Sequence, residues 1–379
     1  MQIGEFKVLK PAAGCGARRA VLNTAHGEIR TPVFMPVGTR GSVKGLTPDQ
    51  IKATGARIIL ANTYHMFLRP GADVVEKLGG LHKLMAWDNP ILTDSGGYQV
   101  FSLSTLNRIG DDGVEFASHI DGRKVFLGPS VATKVQNQLG ADIIMAFDEC
   151  TPYPCEPQRL KAAVERSIDW AGKCKQAHGR PHDQLLFGIV QGGIDLSLRS
   201  YCAEKLIELD LPGYAIGGLS VGEGHTNMIS TVKHTAPLLP ANKPRYLMGV
   251  GMPSDIIAAV RAGVDMFDCV LPTRNGRNGF AFTQNGPVRM RNSAHTEDSS
   301  PIEEGCDCYC CLNFPRAAVR HFFNVGEMLG PTLVSMHNIR FFQRLMNDIH
   351  ARIDNDTFND WAELQLAHYR SVGLTKEND

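Results

Sequence analysis

An excess of charge of either sign is absent: 39 Lys and Arg stand against 39 Asp and Glu in 379 residues. Composition alone therefore announces neither a nucleic-acid coat nor an acidic tail. No apolar run approaches the roughly 18 residues that a membrane-spanning helix needs. The opening MQIGEFKVLK lacks the apolar stretch of a secretory leader. The expectation is a cytoplasmic protein with no membrane segment. No Gly-x-x-x-x-Gly-Lys-Ser/Thr loop occurs, which disfavours a nucleoside triphosphatase of that type, and no Gly-x-Gly-x-x-Gly follows an apolar run. There is no His-x-His pair either, which weakens a barrel hydrolase built on a catalytic metal.

What is present is an ordinary globular composition, 43% hydrophobic and 21% charged, long enough for two domains or one large one. Ten cysteines in an unsecreted chain are unsuited to disulfides. Six are scattered (Cys15, Cys150, Cys155, Cys174, Cys202, Cys269) and read as small core side chains. The other four crowd into Cys306-Asp-Cys308-Tyr-Cys310-Cys311. Cys306, Cys308 and Cys311 offer three thiolates from one tight turn, the donor set of a structural zinc. Cys310 adjoins a ligand and is awkward as the fourth, which leaves a histidine, His337 or His321 by position.

Eight short apolar runs recur along the chain, ending in polar or glycine-rich residues. They span residues 31–37, 57–62, 91–94, 142–148, 185–191, 214–218, 245–250 and 265–269. Continuous Ile/Leu/Val/Phe runs suit parallel strands buried on both faces. Helical apolar periods between them, as in 157–178, 196–209 and 253–262, predict a (β/α)8 TIM barrel rather than an open doubly wound sheet. Residues 1–30 read as an antiparallel β layer over one barrel end, and 31–273 as the barrel. Residues 274–338 read as a zinc-binding insertion after the eighth strand, and 339–379 as closing helices with a frayed tail from 371.

In such a barrel chemistry sits where strands end. Those positions hold Asp94, Asp148, Gln191, Gly218, Met248 and Asp268. Acidic residues after strands can also cap the next helix. Asp94 on the third strand and Asp268 on the eighth would face each other across the barrel mouth. Two carboxylates so placed are equipment for displacement at an anomeric carbon, one attacking and the other shuttling the proton.

The ordered motifs TDSGGYQVFSL (93–103), FDEC (147–150), GIVQGG (188–193), IGGLSVGE (216–223), DMFDCVLPTRNGRNG (265–279) and CDCYCC resemble the bacterial tRNA-guanine transglycosylases over nearly the whole chain. That resemblance implies base exchange without ATP at the wobble position of tRNAs whose anticodons begin G-U. Guanine leaves and 7-aminomethyl-7-deazaguanine enters, as a step of queuosine biosynthesis. It further implies Asp268 as nucleophile and Asp94 as general acid/base. Asp148 and Gln191 would bind the pyrimidine edge of the base, with the Gly218 amide and neighbouring Leu219 at its carbonyl oxygen. Tyr98 and Met248 would cover its two faces. Cys150 and Val221 would narrow the room beyond the 7-substituent, favouring the aminomethyl base over finished queuine. Arg274 and Arg277 would touch the anticodon uridines. Cys306, Cys308, Cys311 and His337 would hold one zinc per subunit of a homodimer.

Charge is also segregated along the sequence. Residues 1–47 hold seven Lys/Arg against two Glu, while 353–379 hold six acids against two bases, and RNA binding requires only one positive face. Two rivals use the same residues: a retaining glycosidase or nucleosidase with water as acceptor, and a zinc-bearing RNA-binding module without catalysis.

Overall fold

The computed structural model describes residues 2–103 and 107–375. The fraying expected from residue 371 falls, beyond 375, outside the described residues. Three antiparallel strands open the chain: β1 (Phe6–Pro11), β2 (Arg18–Thr24) and β3 (Gly27–Thr31). The barrel begins with β4 (Val33–Pro36), β5 (Ile59–Ala61) and β6 (Ile91–Thr93). A second antiparallel sheet follows, of β7 (Asn107–Gly110), β8 (Gly113–Ala117) and β9 (Lys124–Leu127). The barrel then resumes with β10 (Ile143–Met145), β11 (Leu185–Val190), β12 (Gly213–Ile216), β13 (Arg245–Leu247) and β14 (Met266–Cys269).

The eight parallel strands run in the order β4-β14-β13-β12-β11-β10-β6-β5, and a parallel bridge between Val37 and Leu60 brings the ends together. The first and eighth strands pair directly, with Asp268 beside Met35. Alternation within each strand explains why both faces are apolar. Val33, Met35, Leu60, Leu92, Met145, Phe187 and Ala215 pack inside the barrel, in one cluster with Leu22 and Ile29 of the N-terminal sheet. Phe34, Ile59, Ala61, Ile91, Ile144 and Leu186 join the outer cluster with the helices.

Acids at strand starts have structural work. Arg18 makes a two-pronged pair with buried Asp265, at 2.9 and 2.7 Å, tying the N-terminal sheet to the barrel floor. Asp142 accepts from the backbone of His26 and Ile91 and lies against the stacked rings of His26 and His82.

The helices at Pro157–Ala177, Leu196–Ile207 and Pro253–Arg261 lie where the apolar period predicts. The β7–β9 sheet is not foreshadowed by the eight-run pattern, because its strands are short and mix polar with apolar residues, burying the side chains of Val114, Phe116 and Leu127. The sequence suggests that His337 starts a helix. It lies instead two turns inside one that begins at Leu329 and runs to Asp354.

Folding brings part of the segregated charge together. Lys10 pairs with Asp356 at 2.7 Å, Arg19 with Asp354, and Arg261 with Glu363 at 2.6 Å. Two of the seven N-terminal bases, Lys10 and Arg19, are thus paired with C-terminal acids.

Candidate active site

A cavity of about 660 Å³ opens at the carboxyl ends of the barrel strands. All six strand-end residues named from sequence line it: Asp94, Asp148, Gln191, Gly218, Met248 and Asp268. Tyr98, Cys150, Leu219, Val221 and Arg274 line it too. Arg277 does not. It sits half-buried at the end of the helix Leu271–Arg277, whereas Arg274 is exposed at the cavity rim.

Asp94 follows β6 directly and is buried. Its Oδ1 accepts from the Thr63 backbone at 2.8 Å, and its Oδ2 from Gln99 Nε2 at 2.8 Å and from Asn62 Nδ2. Burial pushes this carboxyl up to about 6, against the pull of those three donors, and the nearby Asp268 charge adds to the rise. A carboxyl poised there can both give and take a proton near neutrality.

Asp148 lies across the floor. Its Oδ1 accepts from Ser95 Oγ and its Oδ2 from Gln191 Nε2, both at 2.7 Å. Burial raises its pKa, opposed by these two donors. Two glycines permit the crowding. A Cβ on Gly97 would stand 2.5 Å from the Asp148 carbonyl oxygen, and one on Gly218 would stand 2.2 Å from Gln191 Oε1. Gly218 also adopts φ +62°, where side chains are strained. No described residue accepts from its backbone N–H, which leaves that donor for a ligand.

Asp268 ends β14. Its Oδ1 accepts from Tyr246 Oη at 2.6 Å and from the Gly249 backbone at 2.8 Å. Burial raises its pKa and these donors counter it. No described residue donates to Oδ2. One oxygen is anchored and the other is free to attack.

Sequence reasoning missed the residues that hold these acids: Asn62, Thr63, Ser95, Gln99 and Tyr246. Ser95 and Gln99 were within reach, since both lie in the TDSGGYQ segment, and Asn62 ends the second apolar run. Glu223 was missed as well. Its carboxylate accepts from the backbone of Ser220 and Val221 and fixes the turn beside Gly218.

Away from the cavity, Cys306, Cys308, Cys311 and His337 converge, with donor atoms within 4.8 Å of one another. His337 Nδ1 lies 3.6, 3.6 and 3.3 Å from the three sulfurs. Bonds of about 2.3 Å to sulfur and 2.05 Å to nitrogen in a tetrahedron give sulfur–nitrogen separations near 3.5 Å, so the four donors fit a metal ion. His337 Nε2 donates to the Phe282 carbonyl at 2.8 Å, which fixes the tautomer that leaves Nδ1 for the metal. His321, the other candidate by position, is exposed and outside the group, and Cys310 is buried in the adjoining apolar cluster.

Residues 13–371 match the sequence model of the family described as queuine tRNA-ribosyltransferase. Relatives bearing that name include one from Caldanaerobacter subterraneus subsp. tengcongensis, 53% identical over 96% of this chain and 97% of its own. Another, from Thermoanaerobacter sp., is 53% identical over 98% and 99%. A third, from Symbiobacterium thermophilum, is 52% identical over 97% and 92%. With about half its residues shared over nearly its whole length, the chain belongs to the queuine tRNA-ribosyltransferase family of pentosyltransferases.

Proposed function

We propose that this enzyme exchanges a base in tRNA: it removes guanine from the wobble position of the GUN-anticodon tRNAs for Asp, Asn, His and Tyr and inserts 7-aminomethyl-7-deazaguanine. The observation that carries the reading is the pairing in one cavity of Asp268, with one anchored and one free oxygen, and Asp94, whose carboxyl titrates near neutrality.

Asp268 Oδ2 attacks C1′ of the ribose as the bond to guanine N9 breaks, forming a ribosyl ester on the enzyme. Protonated Asp94 gives its proton to the departing purine. Ionised Asp94 then takes the N9 proton of the incoming base, whose nitrogen attacks C1′ and releases the Asp268 carboxylate. Two displacements retain configuration at the carbon. Tyr246 and Gly249 orient the nucleophile, while Asn62, Thr63 and Gln99 orient the acid/base.

Unstacking a nucleotide costs a few kcal/mol, which stacking and edge hydrogen bonds must offset. Tyr98 and Met248 supply the faces. Asp148 accepts from the ring N–H and exocyclic amine of a guanine-like edge, an arrangement adenine cannot match. Gln191 joins it, and Gly218 with Leu219 meets the 6-oxo group. Cys150, whose thiol burial pushes up to about 12 and so keeps neutral, narrows the room for a 7-substituent. Val221 stands between the cavity and a recess of about 170 Å³, which supports the small aminomethyl group over queuine. Arg274 and Arg277 bind the anticodon uridines.

Cys306, Cys308, Cys311 and His337 would hold a structural zinc, whose chemistry is to clamp the segment 306–311 to the helix Leu329–Asp354. Four protein donors leave no position for substrate. Exposed Tyr309, Leu312, Val325 and Met328 support association of two copies into a homodimer. No described helix is long and apolar enough to cross a membrane, and a tRNA substrate supports a cytoplasmic location.

The test is denaturing electrophoresis of enzyme mixed with cognate tRNA and 9-deazaguanine. A protein–RNA adduct that disappears in Asp268→Asn is expected. An adduct that persists in that variant, or none with the wild type, overturns the assignment.

A further inference from the structure

Arg199 is among the largest fully buried side chains, and no carboxylate lies within ion-pair distance of it among the described residues. It sits in the first turn of the helix Leu196–Ile207, against the carboxyl ends of β11 and β12. Its guanidinium is spent on backbone carbonyls. Nε donates to Gly193 at 2.8 Å, Nη1 to Val190 and to Gly217 at 2.8 Å each, and Nη2 reaches Gly218 at 3.5 Å. Burial lowers its pKa only to about 10, so it stays charged at neutral pH.

A buried cation with no close ion pair is costly, even with the Glu223 charge near enough to favour it, and which carbonyls it holds gives the reason for keeping it. The Gly217 carbonyl belongs to the same peptide unit as the unpaired Gly218 N–H that faces the cavity. The Val190 carbonyl belongs to the peptide unit that starts Gln191, whose own N–H is taken by Cys202 Sγ at 3.3 Å. A cation on a peptide oxygen draws electron density toward it and makes the N–H at the other end a stronger donor. The Val190 carbonyl also accepts from the Gly217 backbone N–H at 3.0 Å, whereas no described backbone N–H donates to the Gly217 carbonyl. Here a full charge is applied from behind to the two loops that grip the base.

We propose that Arg199 is a specificity-determining positioning residue, which polarises the Gly217–Gly218 peptide so that the Gly218 N–H selects a purine with a strong acceptor at position 6. This rests on the base-exchange reading above. Arg199 touches neither base nor ribose and acts only through the peptide and the Gln191 loop.

The experiment compares guanine with 6-thioguanine in exchange assays on full-length tRNA with the intact, metal-loaded enzyme. Both bases keep the ring N–H and exocyclic amine that Asp148 reads, and only the acceptor at position 6 weakens. Arg199→Gln is expected to raise KM for guanine about tenfold, the scale of one charge-assisted hydrogen bond, with kcat changed less than about threefold. The constant for 6-thioguanine should rise much less, so that the wild-type preference for oxygen over sulfur narrows. Arg199→Lys keeps the charge but fewer carbonyl bonds, and should shift the guanine constant in the same direction by a smaller factor. Constants for both bases rising by the same factor would mean a purely structural role and overturn the proposal. So would an unchanged KM for guanine in Arg199→Lys, even if Arg199→Gln does not fold. Wild-type enzyme that exchanges no guanine would instead strike down the base-exchange reading itself, and this inference with it.

Discussion

Asp94→Asn should make the protein more stable at neutral and alkaline pH while removing its activity. The sign follows from the direction of the pKa change. Folding lifts this carboxyl from its ordinary 3.8 to about 6, so the folded chain holds the proton more tightly than the unfolded one. That binding stabilises the fold in full below 3.8 and is lost as the pH rises through about 6. Above that range the ionised, buried carboxylate burdens the fold by about 3 kcal/mol, at about 1.4 kcal/mol per pH unit. Asparagine carries no such burden. Its NH2 would confront donors on Asn62, Thr63 or Gln99, but Gln99 Oε1 is buried without a partner, and turning that amide over supplies an acceptor. Urea unfolding of both proteins across about pH 4 to about pH 8 should therefore show the difference moving in favour of the variant by about 2.5 kcal/mol. Titrating groups remote from Asp94 cancel in the comparison, and the charge of Asp268 is a minor cause of the rise beside burial. Base exchange by the variant should fall by about 100-fold or more, since an amide can neither give nor take the proton. A stability difference that stays flat over this range would refute the argument, because Asp94 would then ionise with the same ease folded and unfolded.

The remaining predictions concern support rather than chemistry. Chelation of the metal, or Cys308→Ser, should loosen the segment that joins Cys306 to the helix of His337 and lower both thermal stability and tRNA affinity. Hydrogen exchange at residues 306–338 would report it, and unchanged exchange with normal tRNA binding would remove the metal from its structural role. Gly97→Ala places a methyl 2.5 Å from the Asp148 carbonyl oxygen and 2.9 Å from its Oδ1. A displacement of the base-reading carboxylate at a cost of about 1–3 kcal/mol should raise KM for guanine by about tenfold or more. Titration of the exchange rate against guanine measures it, and wild-type KM would show that the loop yields freely.

The barrel was legible because parallel strands buried on both faces leave continuous apolar runs, and because the polar residue that ends each run is the one a barrel exposes at its mouth. Asp94, Asp148, Gln191, Gly218, Met248 and Asp268 could be listed on that ground and meet in one cavity. The cysteine spacing carried three of the four metal donors. The histidine could not be settled by spacing, because His337 comes from a helix that meets the cysteines only through tertiary packing. Residues acting at second hand left weaker traces. Tyr246 sits inside an apolar run and reads as core until its hydroxyl is seen 2.6 Å from Asp268. Arg199 reads as one polar position of an amphipathic helix, and nothing in its neighbourhood marks it as buried. The opposition of N-terminal bases to C-terminal acids is visible as composition, but the pairing of Lys10 and Arg19 with Asp356 and Asp354 is not.

The placement of acids along the barrel axis separates stability from chemistry. At the strand starts, Asp142 and Asp265 are met by donors on both oxygens, including the two-pronged Arg18 pair, and they join the N-terminal sheet to the barrel floor. At the strand ends, Asp94, Asp148 and Asp268 are buried without a cation; burial raises their pKa values, as it does that of Asp265, but no arginine meets them. The Asp268 charge adds to the rise at Asp94, so these two acids oppose one another when both are ionised. On the proposed exchange, a guanine-like base would present two N–H donors to Asp148, and ester formation would remove the Asp268 charge. Binding would then stabilise one buried acid and the first displacement would neutralise another, which is how a stable barrel could keep a reactive mouth.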